Sequence, residues 1–145
     1  MSGMGDSCTF CRILAGDLGA HRVLEEPEVV ALLDHRPLRL GHVLVVPREH
    51  HVTLPDLPEA LLAPLFGAVR RVARAVVTGL GADGSFVAAN NVVSQSVPHL
   101  HVHVVPRNPK DGLKGFFWPR HPYADEAEMA AFAERLRAGV GLGPV

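Results

Sequence analysis

The stretch SQSVPHLHVHVVPR, residues 94–107, carries three histidines at alternate positions, His99, His101 and His103. Alternate side chains of a β-strand lie on one face of the sheet, so we expect the three imidazoles to point the same way. The Leu and Val residues between them should then face the core. A strand that is simply half exposed to water would accept Thr, Lys or Ser equally well, so exposure alone is a weak account of this pattern.

Two functional interpretations follow from these residues. A His-x-His pair can hold zinc through neutral imidazole nitrogens. Alternatively, the middle imidazole can act as a nucleophile or a base while its neighbours bind charge. The spacing of the histidines does not separate the two interpretations.

Length and composition limit the classes of protein that fit. The chain has 145 residues, and we expect residues 1–145 to form a single domain. The formal net charge is −1, from 14 basic and 15 acidic residues, which argues against general attraction to nucleic acid or membranes. The N-terminus lacks the features of a signal peptide, and no apolar run has the length of about 18 residues that a membrane span needs. We therefore expect a cytoplasmic protein.

The order of the predicted elements indicates an α+β fold. Extended runs lie at 21–26, 28–34 and 42–48, an amphipathic helix at 57–81, two further strands at 85–93 and 98–107, and a C-terminal helix at 125–139. Most strands follow one another directly, with one long helix between the third and fourth. This order predicts a five-stranded antiparallel sheet with one long helix and one C-terminal helix.

The run HLHVHVV, residues 99–105, resembles the motif of the histidine-triad (HIT) family, in which histidines alternate with apolar residues. The resemblance extends over about residues 8 to 120 and includes Asp34 after an apolar strand and GHVLVVPREH at 41–50. The pieces around the triad and GFFWPR look like a bacterial, zinc-containing branch. The resemblance implies a HIT-like fold, hydrolysis or transfer of nucleoside phosphates, and a homodimer with a sheet continuous across its interface.

The resemblance also assigns the catalytic residues. His101 would attack the α-phosphorus and form a covalent nucleotidyl-histidine, while a backbone carbonyl holds its other ring nitrogen. His103 would bind the phosphate oxygens or the leaving group. Neutral imidazole suits the first role because it is nucleophilic near neutral pH.

The resemblance also implies a second set of residues, which would bind the nucleotide. Asp34 would accept hydrogen bonds from both ribose hydroxyls, although it could also be a turn residue before Arg36. Gln95 and Ser96 would reach the phosphate, unless they only serve the turn. Asn90 or Asn91 would supply an amide on the phosphate side. The base would lie between Ile13, Leu33 and His35. His42 would border the triad.

The N-terminal segment 8–16 carries Cys8 and Cys11 in CTFC, which alone is either half of a zinc site or a redox pair. A redox pair is expected in a thioredoxin-like βαβ context, which the predicted elements lack. The resemblance supplies His50 and His99 as the two further ligands of a structural Zn²⁺ site. The alternative is a pair of buried, reduced cysteines.

The segment 115–139 begins with the aromatic run GFFWPR, which includes Phe116, Phe117 and Trp118. We expect this run to pack on a partner subunit or to border the substrate, with burial in the core as the alternative.

The sequence therefore predicts a nucleotide hydrolase or nucleotidyltransferase of the phosphoramidase type that releases a nucleoside monophosphate such as AMP. The alternatives are a dinucleoside polyphosphate hydrolase, a non-catalytic nucleotide-binding HIT protein, and a catalytic metal site on the three triad histidines. No nucleic-acid or membrane partner is expected.

Overall fold

A computed structural model of the chain describes residues 7–114 and 118–141. Contacts divide the chain into two compact units, Met1–Asp111 and Gly112–Val145, and each is described by itself. A single domain over 1–145 therefore stays a prediction. The elements are α1 (Thr9–Leu14), β1 (Arg22–Glu25), β2 (Val29–Leu33), β3 (Val43–Pro47), two 3-10 turns (Leu54–Asp56 and Glu59–Leu61), α2 (Leu62–Leu80), β4 (Gly84–Ala88), β5 (Val102–Arg107) and α3 (Glu126–Val140).

The five strands of the first unit form one antiparallel sheet in the order β1-β2-β3-β5-β4. This arrangement confirms the expected α+β fold with its long helix and its C-terminal helix. Strand β5, which carries His103 and directly follows His101, is central because it pairs with both β3 and β4. His103 lies opposite Leu44 on one side and Ala88 on the other.

Helix α2 covers one face of the sheet with an apolar stripe. Its buried residues recur at three- and four-residue spacing, and they pack against the inward side chains of the strands. The helix begins at Leu62, later than the expected residue 57, because Pro64 has no N–H to donate and is tolerated only in the first turn of a helix. It ends at Gly81, which adopts the left-handed φ of 72°.

The N-terminal segment covers the opposite face. Cys8 and Phe10 pack there with buried residues of β2 and β3, among them Val30 and Leu44. Four residues of β2 and all five of β3 are buried, because each strand lies between α2 and α1. This double burial explains why both strands read as continuous apolar runs rather than alternating ones.

The two strands nearest the triad are shorter than expected. The fourth ends at Ala88 instead of residue 93, and the fifth begins at Val102 instead of residue 98. His99 therefore lies in the turn before the strand. The three histidines nonetheless face the α1 side, whereas the apolar residues between them join the core under α2. Exposure to water does not account for the motif, because His99 and His101 are only 0% and 4% exposed.

The loop between β4 and β5 contains a strained residue. Val92 has a φ of 71°, in the left-handed region that β-branched residues avoid. The Val92 N–H donates to Gln95 Oε1 at 2.9 Å, and Gln95 Nε2 donates to the Val52 carbonyl at 2.6 Å. Nearby, the Leu54 N–H donates to Asn91 Oδ1 at 2.8 Å. These bonds hold the loop in a conformation that Val92 itself disfavours.

The second unit contains α3, which Asp125 caps through a 2.8 Å hydrogen bond from the Glu128 N–H. Apolar side chains remain exposed along this helix, namely Met129, Phe132, Leu136 and Val140. Trp118 is 58% exposed, so this residue is not buried in a core. Phe116 and Phe117 lie outside the described residues, and their packing stays a prediction.

Among the residues that the structure describes, no helix combines the length and the apolar character needed to cross a membrane. The cytoplasmic location expected from the sequence stays a prediction.

Replacing Val92 by glycine should stabilise the protein. Val92 is 76% exposed, so its side chain contributes little burial, while glycine adopts a positive φ without a steric penalty. We expect Val92→Gly to raise the free energy of unfolding by about 1 kcal/mol in urea denaturation. The matched control is Val93→Gly, since Val93 is 78% exposed but has no positive φ. This control should lower stability, and an equal loss in both variants would contradict the prediction.

Candidate functional site

The three histidines of the motif have different hydrogen-bond partners. His99 lies against the two cysteines, His101 faces a cavity, and His103 contacts His42. Although they alternate in sequence, the rings therefore do not converge on one point. A single catalytic metal held by all three does not fit this arrangement.

Cys8, Cys11, His50 and His99 form a cluster whose ligand atoms all lie within 4.8 Å of one another. The Nδ1 atom of His99 is 3.3 Å from Cys8 Sγ and 3.6 Å from Cys11 Sγ. Cys11 Sγ is 3.4 Å from His50 Nδ1, which is 3.2 Å from His99 Nδ1. A tetrahedral zinc ion bound at ordinary lengths requires S···N edges of about 3.5 Å and an N···N edge of about 3.3 Å. The four residues therefore fit a zinc ion closely.

A hydrogen bond outside the cluster sets the tautomer of His99. Its Nε2 donates to the Pro47 carbonyl at 2.8 Å, which leaves a lone pair on the Nδ1 atom that faces the thiols. Burial and the neighbouring His50 lower the pKa of His99 to about 4. Burial and Cys8 raise the pKa of the Cys11 thiol to about 11. A bound divalent cation would act in the opposite direction on the thiol, because it stabilises the thiolate.

His101 is held through its Nδ1 atom. This nitrogen donates to the carbonyl of His99 at 2.8 Å, so the neutral ring carries its proton there and keeps a lone pair on Nε2. The ring lies between two others, with centroid distances of 5.1 Å to Phe10 and 4.9 Å to His103. The side chain is buried against the protein and yet lines the cavity.

A chain of hydrogen bonds sets the tautomer of His103. The Leu38 N–H donates to His42 Nδ1 at 3.2 Å, which leaves the proton of neutral His42 on Nε2. His42 Nε2 then donates to His103 Nδ1 at 2.9 Å, so the proton of His103 lies on its own Nε2. Burial first, and then His101 and His42, lower the pKa of His103 to about 4 against the opposing effect of Asp34. His103 is thus a neutral hydrogen-bond donor near pH 7.

A cavity of about 650 Å³ adjoins both catalytic candidates. Its lining combines apolar side chains, two histidines of the motif, Asp34 and Ser96. This combination suits a ligand with a flat apolar part and an anionic or hydroxyl-bearing part, such as a nucleotide. Asp34 is held by the Arg36 N–H, which donates to Oδ1 at 2.9 Å.

The structure brings most of the expected ligand-binding residues to this cavity. The seven that line it are Ile13, Leu33, Asp34, His35, Ser96, His101 and His103. His42 lies behind His103, to which it donates a hydrogen bond. The other expected residues are bonded within loops: Asn90 donates to the Ser94 carbonyl at 3.2 Å, while Asn91 and Gln95 hold the loop before β5. Contact of these three with a phosphate stays a prediction.

Sequence reasoning missed part of the lining. The additional residues are Thr9, Phe10, Gly19, Ala20, His21, Leu32, Leu44 and Val97. Phe10 could have been predicted near the site, because it lies between the two cysteines of CTFC. His21, to which the sequence analysis assigned no role, reaches the cavity because the Leu33 N–H donates to its carbonyl at 2.9 Å. No local sequence pattern predicts that hydrogen bond.

Asp34, His42 and His103 form a second group of three residues with metal-binding atoms near one another. Within it, the His42 to His103 contact of 2.9 Å is already a hydrogen bond. The two histidines of this group are therefore already bonded to each other, whereas Asp34 Oδ2 lies 3.6 Å from His42 Nδ1.

Comparison with known proteins gives a consistent match. The family model described as HIT domain matches residues 16–110. An adenosine 5'-monophosphoramidase of Schizosaccharomyces pombe is 31% identical over 136 residues, which cover 92% of this chain and 98% of the relative.

Two solved structures extend the match to the fold. A Streptococcus mutans UA159 protein superposes with a TM-score of 0.85 and 34% identity, covering 97% of this chain and 89% of that one. A Zn-bound histidine triad family protein from Mycobacterium smegmatis has a TM-score of 0.72 and 38% identity, over 92% of this chain and 99% of its own.

The lowered pKa of His103 predicts that stability falls in mild acid. Its value moves from 6.5 to about 4 on folding, so between these two pH values the unfolded chain binds the proton more strongly than the folded chain does. Stability should therefore fall as the pH drops through this window. We expect His103→Asn to reduce the fall in melting temperature between pH 7 and pH 5. His121→Asn, at an exposed histidine of the second unit, serves as the control. An unchanged pH slope in His103→Asn would contradict the assignment.

Proposed function

The chain belongs to the HIT domain family, and on this premise we propose that it is a nucleotide hydrolase or nucleotidyltransferase of the phosphoramidase type. The relative from Schizosaccharomyces pombe, an adenosine 5'-monophosphoramidase, supports this choice of reaction because it matches over nearly the whole of both chains. The products would be a nucleoside monophosphate, such as AMP, and an amine.

One observation carries the proposal. The 2.8 Å hydrogen bond from His101 Nδ1 to the His99 carbonyl leaves the lone pair of Nε2 available on a ring that lines the cavity. In its neutral form, a histidine bonded in this way is a nucleophile with a defined tautomer. Asp34 and Ser96 line the same cavity as His101.

In the proposed first step, the lone pair of His101 Nε2 attacks the α-phosphorus of a nucleoside phosphoramidate. The bond from His101 to phosphorus forms as the bond from phosphorus to the amine breaks, and the amine leaves with a proton taken from solvent. In the second step, water attacks the same phosphorus and returns one proton to solvent. The bond to His101 then breaks, which releases the nucleoside monophosphate and restores the imidazole.

The neighbouring residues would stabilise this reaction without a formal proton transfer. Neutral His103 would donate its Nε2–H to a phosphate oxygen, where negative charge grows in the transition state. Ser96 would donate from the loop that precedes β5. Asp34 would accept from the ribose hydroxyls, while Ile13, Leu33 and other apolar lining residues contact the base.

We also propose that the cluster of two cysteines and two histidines binds one structural Zn²⁺. The support is the closeness of its four ligand atoms, which all lie within 4.8 Å of one another, and the likeness to a Zn-bound histidine triad protein. The ion would cross-link the N-terminal segment to the triad and take no part in the bond-breaking steps. All four positions would be filled by protein ligands, which is typical of structural zinc.

The central prediction is that His101 is required for AMP release. Wild-type protein should release AMP and ammonia from adenosine 5'-phosphoramidate, and His101→Ala should lower the rate by at least about 10³-fold because the covalent route is lost. His121→Ala, which changes a histidine outside the site, should retain full activity.

The same assay separates the remaining interpretations. Release of AMP from diadenosine tetraphosphate alone would assign the protein to the polyphosphate hydrolases. Inactivity of the wild-type protein on both substrates, with nucleotide binding intact, would identify a non-catalytic binder. Equal activity of the wild-type protein and His101→Ala would exclude His101 as the nucleophile.

The zinc proposal predicts one metal ion per chain. His50→Ala should lose the metal and lower the melting temperature, because removal of a structural ligand uncouples metal binding from folding. His51→Ala is the matched control, since His51 adjoins His50 but lies outside the cluster. Metal content by elemental analysis and melting temperature with and without a chelator measure both effects. Equal metal content in the two variants would refute this ligand assignment.

We further propose a homodimer that extends the sheet across the β4 edge. Apolar side chains remain exposed on β4 and on α2, including Phe66, Val77 and Val87. Phe66→Glu with Val77→Glu should convert a dimer into a monomer in sedimentation velocity experiments. Val23→Glu, on the opposite edge strand β1, should leave the dimer intact. A wild-type mass of one chain would contradict the proposal.

A further inference from the structure

We propose that Phe10 is a positioning residue for the nucleophile: its ring holds the His101 imidazole in the attacking orientation and links that orientation to the metal cluster. This inference rests on the proposed function of His101. It assigns Phe10 a role in the rate of the covalent step beyond simple contact with a nucleotide.

The contacts of Phe10 are specific. Its ring meets His101 at a centroid distance of 5.1 Å and an interplanar angle of 62°, and it meets His99 at 5.6 Å and 82°. Both contacts have the edge-to-face geometry that aromatic rings favour. Phe10 is 4% exposed, so surrounding atoms hold the ring firmly in place.

His101 needs such a contact because its hydrogen bond restrains only one end of the ring. Nδ1 is fixed to the His99 carbonyl, while the Nε2 end points toward the cavity. His103 lies on one side of the ring and Phe10 on another. Without the Phe10 ring, His101 would have free space beside it and could turn away from the line of attack.

The position of Phe10 depends in turn on the two cysteines. Cys8 caps α1 by accepting the Cys11 N–H at 3.4 Å, and Phe10 lies between them in the first turn. The two thiols meet the Nδ1 atoms of His50 and His99. Closure of this cluster therefore fixes the Phe10 ring, and through His99 it also fixes the carbonyl that holds His101.

Val30 offers a matched comparison. It belongs to the same apolar cluster and is 0% exposed, yet it lines no part of the cavity. A purely structural role of Phe10 would make its truncation resemble that of Val30. A positioning role would slow the covalent step while the metal and the fold are retained.

The test uses the metal-loaded protein with Phe10→Leu, Phe10→Met and Val30→Ala. Adduct formation on His101 is followed in a single turnover of adenosine 5'-phosphoramidate by mass spectrometry. Affinity for AMP, metal content and the imidazole ¹⁵N spectrum of His101 are measured in parallel. Both ringless variants should form the adduct about 10- to 100-fold more slowly, the range that a small misplacement of a reacting group produces. AMP affinity should change much less, and Val30→Ala should keep the wild-type rate.

The outcomes are separable. If both Phe10 variants form the adduct as fast as Val30→Ala, or if their AMP affinity falls by the same factor as the rate, the positioning role is wrong. If wild-type protein forms no adduct, the proposed function fails, and the ¹⁵N spectrum alone decides the inference. In that case a changed His101 signal in the Phe10 variants, but not in Val30→Ala, supports positioning, and an unchanged signal overturns it.

Discussion

The hydrogen bond from His101 Nδ1 to the carbonyl of His99 connects the two halves of the site. The side chain of His99 belongs to the metal-binding cluster, while its backbone carbonyl belongs to the nucleophile. A displacement of His99 would therefore act on both at once. The chain achieves this connection within three residues, so the coupling needs no long path through the protein.

The same residue type serves three purposes in the motif because each ring has a different second partner. His99 donates to Pro47 and presents Nδ1 to the thiols, and His101 donates to the backbone and keeps Nε2 free. His103 accepts from His42 and keeps an N–H for a ligand. All three side chains are imidazoles, so the tautomer of each ring decides whether its free nitrogen donates or accepts. Hydrogen-bond partners outside the motif, such as Pro47 and His42, set these tautomers.

The sequence predicted the fold well because its apolar signals were strong. The valine-rich runs that became β2 and β3, and the apolar spacing of α2, each allowed one interpretation. The ends of β4 and β5 were less predictable, since the loop between them depends on the side chains of Asn91 and Gln95 and on an unfavourable φ at Val92. Tertiary contacts impose this conformation, and no periodic pattern of the sequence predicts it.

The candidate site followed a similar rule. Residues inside a recognisable motif, such as His101 and Asp34, were predicted and do lie at the cavity. His21 was missed because strand pairing, and no local pattern, brings it there. The resemblance predicts Gln95 at the phosphate, and in the structure its Nε2 donates to the Val52 carbonyl, so the phosphate contact stays a prediction. A single sequence shows which polar side chains are present. It does not show which of them already have hydrogen-bond partners within the fold.

The cluster of cysteines and histidines joins parts of the chain that are far apart in sequence: Cys8 and His99 are separated by 91 positions. Cys8 and Cys11 therefore have no complete set of ligand partners until His99 has been synthesised. Closing so long a segment has an entropic cost, and contacts of long sequence separation slow folding. Because His99 both joins the cluster and holds His101 through its carbonyl, the nucleophile is complete only when residues far apart in the chain have come together.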